Sequence, residues 1–242
     1  MTRLFLIRHG ETVDNVAGLY AGSRDSPLTA HGAIQARRLA SHLADKVVVT
    51  HVFSSDLVRA VRTAEGLCDA QKRGPDLAIV QLSELREKDF GTGEGTRMGS
   101  KQHEGAETPE AMRLRVDRFL DDHLFPLADG SVICVVAHGI ILGVLFKALS
   151  ARTSVAIAPT ARTEVFPDTS SLSRLWWSNT GYLEAVLQKP GMKLSIERIN
   201  SMDHVKGLKK TRGGIGNARF DEKQKTMDSF FQPASKRRKH EW

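Results

Sequence analysis

Leu4-Phe5-Leu6-Ile7-Arg8-His9-Gly10-Glu11-Thr12 decides how the chain is read. A short apolar run ending in charged and turn-forming residues is the pattern of a strand buried on both faces of a parallel sheet. The pattern returns at Val132-Ile133-Cys134-Val135-Val136-Ala137-His138-Gly139, so two apolar strands each end in His-Gly. Further strands are expected at Val47 to Phe53 and Leu77 to Leu82. Helices are expected from Thr29 to Asp45, Leu57 to Ala70, Pro109 to Leu124 and Ile140 to Leu149. Thr29 reads as an N-cap, with Ile34, Leu39 and Leu43 on the core face, and Pro109 suits a first helical turn. This alternation predicts a three-layer α/β/α sandwich with a mostly parallel central sheet.

Residues 151–174 are rich in Ser, Thr, Ala and Pro and read as a long loop with a short extended piece. Leu175 to Leu187 and Lys193 to Ile199 read as strands split by a turn at Pro190-Gly191. No internal repeat is found.

Of 242 residues, 40% are hydrophobic and 26% charged, which suits one sizeable core with an appendage. No run approaches the roughly 20 apolar residues of a membrane span, and Arg8 interrupts the first apolar run before it could serve as a secretion signal. A soluble, non-secreted protein without a membrane partner is expected. Cys68 and Cys134 lie among apolar neighbours and read as reduced thiols rather than a disulfide or metal site. The net charge of +7 lies mostly in the tail: residues 201–242 carry 11 Lys and Arg against 5 Asp and Glu. The folded domain is thus not expected to bear a nucleic-acid site. The division of the chain is read as a domain over 1–207 and a basic tail over 208–242, disordered when unbound.

Parallel strands deliver their carboxyl ends to one crevice. His9 and His138 are therefore expected at one site, joined by Arg59 from the start of the next helix and Glu87 from the loop Leu85 to Gly91. Two arginines can clamp phosphate oxygens. A neutral imidazole can take a phosphoryl group covalently, and a carboxyl group can serve as acid and then base. Arg8 and Arg59 would hold the phosphoryl group, His9 would attack it, His138 would donate to its equatorial oxygens and Glu87 would move the proton. No metal-ligand spacing appears among the remaining histidines, and no cofactor is expected.

These residues resemble the histidine phosphatase superfamily, also called phosphoglycerate mutase-like. R-H-G-E-T at Arg8 to Thr12, D-S-P-L-T at Asp25 to Thr29 and S-D-L-x-R-A-x-x-T-A at Ser55 to Ala64 occur in the family's order. R-E-x-x-F-G at Arg86 to Gly91 and A-H-G at Ala137 to Gly139 complete the series. The resemblance covers about residues 1–207. It implies the nucleophile for His9, phosphate contacts for Arg8, Arg59 and His138, and the acid/base role for Glu87. It also makes Thr12, Asn15 and Arg62 candidate substrate-binding residues. Only nine residues separate Glu94-Gly95 from Gly105, where mutase-like members carry a longer cover. A short cover favours hydrolysis of a phosphomonoester, because a mutase must exclude water from its phosphoenzyme. The alternatives are a phosphoglycerate-type mutase and a clamp-associated interaction protein with vestigial activity.

The tail holds Gln224-Lys225-Thr226-Met227-Asp228-Ser229-Phe230-Phe231, which resembles the box that binds the sliding clamp PCNA. A one-turn helix would place Met227, Phe230 and Phe231 on one face as a plug, with Gln224 in a polar pocket. The run Lys236-Arg237-Arg238-Lys239 resembles a nuclear-import signal. Together they predict a nuclear protein with the clamp as partner, with the cytoplasm as a second location.

Overall fold

The computed structural model describes residues 1–71, 77–99, 103–163, 165–189, 191–210 and 214–220. Gln224, Met227, Phe230, Phe231 and the basic run 236–239 lie outside the described residues. The strands are β1 (Thr2–Arg8), β2 (His51–Ser55), β3 (Ile79–Leu82), β4 (Val132–Ala137), β5 (Ser154–Ile157), β6 (Tyr182–Gln188) and β7 (Lys193–Ser201). The helices are α1 (Val13–Ala17), α2 (Ala30–Ala44), α3 (Val58–Ala70), α4 (Pro109–Phe119) and α5 (Gly139–Ala151).

The strands form one seven-stranded sheet in the order β3-β2-β4-β1-β6-β7-β5. β1, β2, β3 and β4 pair in parallel, and β5 pairs in parallel with β7. Only β6 runs against its neighbours β1 and β7. The sheet is therefore mostly parallel, as expected.

Strand alternation divides the core in two. Leu4, Leu6, Ile133 and Val135 face the layer of α4 and α5, where they meet Val116, Phe119, Leu142 and Leu145. Phe5, Ile7, Cys134 and Val136 face the layer of α2 and α3, where they meet Leu39, Leu43, Ala64 and Leu67. Each fully buried Leu, Ile or Phe contributes about 1.5–3 kcal/mol. Apolar residues on both faces explain why β1 and β4 read as unbroken apolar runs.

Thr29 caps α2, its hydroxyl accepting from Gly32 N at 2.9 Å. Ile34, however, is exposed, because it lies roughly 140° around the helix from Leu39. The expected strand from Val47 begins only at His51; Val47 and Val49 are buried but lie outside the ladder. The long segment after α5 does contain its short extended piece, β5, and sends Phe166 and Leu172 into the core. The expected strand at Leu175 starts instead at Tyr182. Cys68 and Cys134 are both free thiols.

Part of the segment read as tail lies on the domain. Ala30 N donates to Ala218 O at 3.0 Å, and Phe220 N donates to Leu28 O at 2.9 Å. The Phe220 ring also meets the Arg37 guanidinium, so main-chain pairing and a cation-π contact hold a stretch that lacks an apolar period. Among the described residues, no helix is long and apolar enough to cross a membrane.

Candidate active site

β1 and β4 are neighbours in register, with Arg8 opposite Ala137. The residues that follow, His9 and His138, therefore emerge side by side, with ring centroids 5.0 Å apart. Both are almost completely buried. Gly10 allows the turn after β1 to approach α2, since a Cβ there would meet Gly32 O at 2.7 Å.

The partners fix both tautomers. His9 Nδ1 lies 2.7 Å from Gly10 O, which can only accept, so the proton is on Nδ1 and Nε2 keeps its lone pair. His138 Nδ1 lies 3.1 Å from Arg59 Nε, which can only donate, so its proton is on Nε2. That Nε2 is buried with no protein partner. Burial, followed by the charges of Arg59 and Arg8, pushes His9 well below the usual histidine range. Burial and Arg59 do the same to His138. Both rings are neutral at pH 7.

Arg8 donates through Nη1 to Trp177 O at 2.7 Å, while its Nε is buried and unpartnered. Arg59 also donates to Arg24 O and Gly22 O, both at 2.7 Å. Burial lowers the Arg59 guanidinium to about 10, with Glu87 opposing, so it remains charged at neutral pH. The loop that supplies its two acceptors is held by Glu94, which accepts from Ser23 N at 2.6 Å and from Ser23 Oγ at 2.9 Å. Tyr20 packs against both Phe90 and His103.

Glu87 reaches the start of α5, where its carboxylate accepts from Ile140 N and Ile141 N, each at 3.1 Å. It also accepts from Lys88 N at 2.9 Å. A methyl group on Gly139 would stand 3.8 Å from Arg8 Nε and 4.0 Å from Glu87 Oε2, so Gly139 keeps the space between them open.

The structure thus brings together Arg8, His9, Arg59, Glu87 and His138. Thr12 and Asn15 are linked to His9 through Asn179. They form a capping box on α1, and Asn15 Oδ1 accepts from Asn179 Nδ2 at 2.9 Å. Asn179 Nδ2 also donates to His9 O at 3.2 Å. Arg62 does not join them. The inner face of α3 is set by Arg59, Ala60, Thr63, Ala64 and Leu67, and at about 100° per residue Arg62 falls on the outer side. There it pairs with Glu65 at 3.0 Å and lines a groove with Leu28, Val58 and Phe220. Sequence reading missed the carbonyls of Gly22, Arg24 and Trp177. Main-chain acceptors have no residue signature, and only a structure reveals them.

Two buried N–H groups without a protein partner, Arg8 Nε and His138 Nε2, beside a histidine whose Nε2 carries no proton, define an α/β protein with a histidine-centred polar site. Residues 4–186 match the histidine phosphatase superfamily (branch 1), and the chain belongs to that superfamily. It is 31% identical to a probable phosphatase of Schizosaccharomyces pombe, over 93% of this chain and 78% of that protein. It is also 31% identical to the 2,3-bisphosphoglycerate-dependent phosphoglycerate mutase of Rhizobium etli, over 72% of this chain and 94% of that one. Among solved structures it resembles the alpha-ribazole phosphatase of Shigella flexneri, with 26% identity and a TM-score of 0.64. That likeness spans 82% of this chain and 96% of the other. The phosphoserine phosphatase of Entamoeba histolytica, at 22% identity and a TM-score of 0.65 over 85% and 100%, shares the fold. Phosphatase or mutase-like chemistry is the activity these relatives support.

Proposed function

We propose that the chain is a phosphatase that hydrolyses a phosphomonoester through a phosphohistidine on His9. The observation that carries this reading is the pair of buried, unpartnered donors, Arg8 Nε and His138 Nε2, beside a neutral His9 whose ring lies 5.0 Å from that of His138. A phosphoryl group satisfies both. The lone pair of His9 Nε2 attacks phosphorus while the bond to the leaving oxygen breaks, and the Glu87 carboxyl group gives that oxygen its proton. Arg8 and His138 offset the charge on the equatorial oxygens. Water then attacks the phosphohistidine, the P–N bond breaks and the Glu87 carboxylate takes the water's proton, releasing inorganic phosphate. The test is acid-labile labelling of the protein from a radiolabelled phosphomonoester. Label should form on wild type and be lost in His9→Ala; equal turnover by the two proteins would end the proposal.

A mutase reading is favoured by the Rhizobium etli relative. It predicts dependence on a bisphosphate primer and transfer to a second hydroxyl. The nine-residue cover argues for hydrolysis, and release of inorganic phosphate without a primer discriminates between the two.

The tail motif at Gln224 to Phe231 supports a tether to the PCNA clamp, and the basic run at 236–239 supports a nuclear site of action. Calorimetry of a peptide spanning 220–235 against PCNA tests the tether. Absence of binding removes it and leaves the catalytic proposal intact.

A further inference from the structure

Thr180 has φ 58°, a left-handed conformation that a β-branched residue adopts only under constraint. Its N–H is shared between Arg8 O at 3.0 Å and His9 O at 3.2 Å. A strained residue therefore grips the main chain of the nucleophile and of its neighbouring phosphate ligand. From the other side, His204 Nε2 lies 2.9 Å from Thr180 Oγ1, and that hydroxyl donates to Asn179 O at 2.7 Å. With its own proton committed to a carbonyl, the hydroxyl must accept from His204, which places the His204 proton on Nε2. His204 is buried in a short turn packed on α2, its ring 5.9 Å from that of His42 and 6.2 Å from that of Tyr182.

We infer that His204 is a positioning residue: it locks Thr180 in its strained conformation, and Thr180 in turn sets the place of His9. The inference rests on the phosphohistidine reading above. It reaches the nucleophile through two hydrogen bonds and makes no contact with the substrate.

The experiment uses the full chain with para-nitrophenyl phosphate, measuring kcat, KM and the rate of acid-labile labelling in one series. His204→Ala should lower kcat and the labelling rate about 10-fold to 100-fold, as expected when a reacting group shifts by a fraction of an ångström, with KM changed by less than about threefold. His204→Gln, whose amide can donate to the same hydroxyl, should recover most of the loss. Thr180→Ala reads the same link from the other end and should lose as much as His204→Ala. The double variant should lose little more than either single one. Should His204→Ala fail to fold, the Thr180→Ala and His204→Gln pair carries the test. Labelled wild type together with a His204→Ala protein that labels and turns over at the wild-type rate overturns the inference alone, even if the variant melts earlier. An unlabelled wild type with His9→Ala fully active overturns the phosphohistidine reading, and the inference falls with it.

Discussion

Arg59 Nε donates to His138 Nδ1 over 3.1 Å, and this contact leaves the His138 proton on Nε2, which has no protein partner. Arg59 is therefore the keeper of a tautomer, beside the phosphate contact proposed for it. Arg59→Lys keeps the charge but not the planar fork that serves His138, Gly22 O and Arg24 O together. A fall in kcat/KM of at least about 100-fold is expected, with a stability loss of about 1–3 kcal/mol for each buried acceptor left bare. Steady-state kinetics and urea unfolding check both; a Lys variant with near-native kcat/KM contradicts the assigned role.

Glu87→Gln should cost about 100-fold to 10,000-fold in kcat with a poor leaving group, the usual worth of a positioned proton donor. Para-nitrophenyl phosphate, whose leaving oxygen needs no proton, should suffer less in the first step. A Gln side chain also turns its NH2 toward one of the main-chain donors that now serve the carboxylate, so the loop at Glu87 should loosen. Comparing alkyl and aryl phosphates separates these effects. Equal losses on both substrates would argue against proton donation.

Gly139→Ala places a methyl group at ordinary contact distance from Arg8 Nε and Glu87 Oε2, in the space the phosphoryl group would enter. The fold should survive, since α5 gains a better helix former at its first residue. KM for any phosphomonoester and Ki for inorganic phosphate should rise about tenfold or more, the worth of one lost charge-assisted contact. An unchanged Ki would mean that phosphate binds elsewhere.

Histidines buried in the neutral form give the pH dependence a definite sign. His9 and His138 lie well below the usual value near 6.5, and burial lowers His204 to about 4. Between pH 6.5 and 4 the unfolded chain binds protons that the native chain refuses, so stability rises with pH in that window and is lost on acidification. The melting temperature should fall steadily from pH 7 to pH 4.5, and His204→Gln should fall less steeply. Turnover should show no loss from His9 protonation between pH 7.5 and 6. A melting temperature independent of pH over that acid window would contradict the buried neutral rings.

Much of this was legible in residues because the chemistry sits where strands end. Two apolar runs closing in His-Gly place His9 and His138 on one edge as soon as the sheet is taken as parallel. Arg59 followed from its place at the start of α3. Arg62 was drawn in by motif position, although helical geometry turns it away from the inner face. Ile34 failed for the same reason: spacing along a helix must be measured against the whole apolar face. Thr180 gave no sign in the sequence, since a Gly or Asn would have announced a left-handed turn and a Thr does not. The docking of Phe220 was hidden because main-chain pairing needs no apolar period.

The adjacency of β1 and β4 also bears on how the protein is made. His9 is synthesised well before its partner strand β4, and β6 on the other side of β1 comes later still. Parallel pairing of distant segments is slow, because the loop must close before any contact rewards it. A chain that lacks β4 therefore holds His9 without His138 and without the strand that buries it. Appearance of turnover in a refolding experiment would report completion of the central sheet, later than any signal from helix formation.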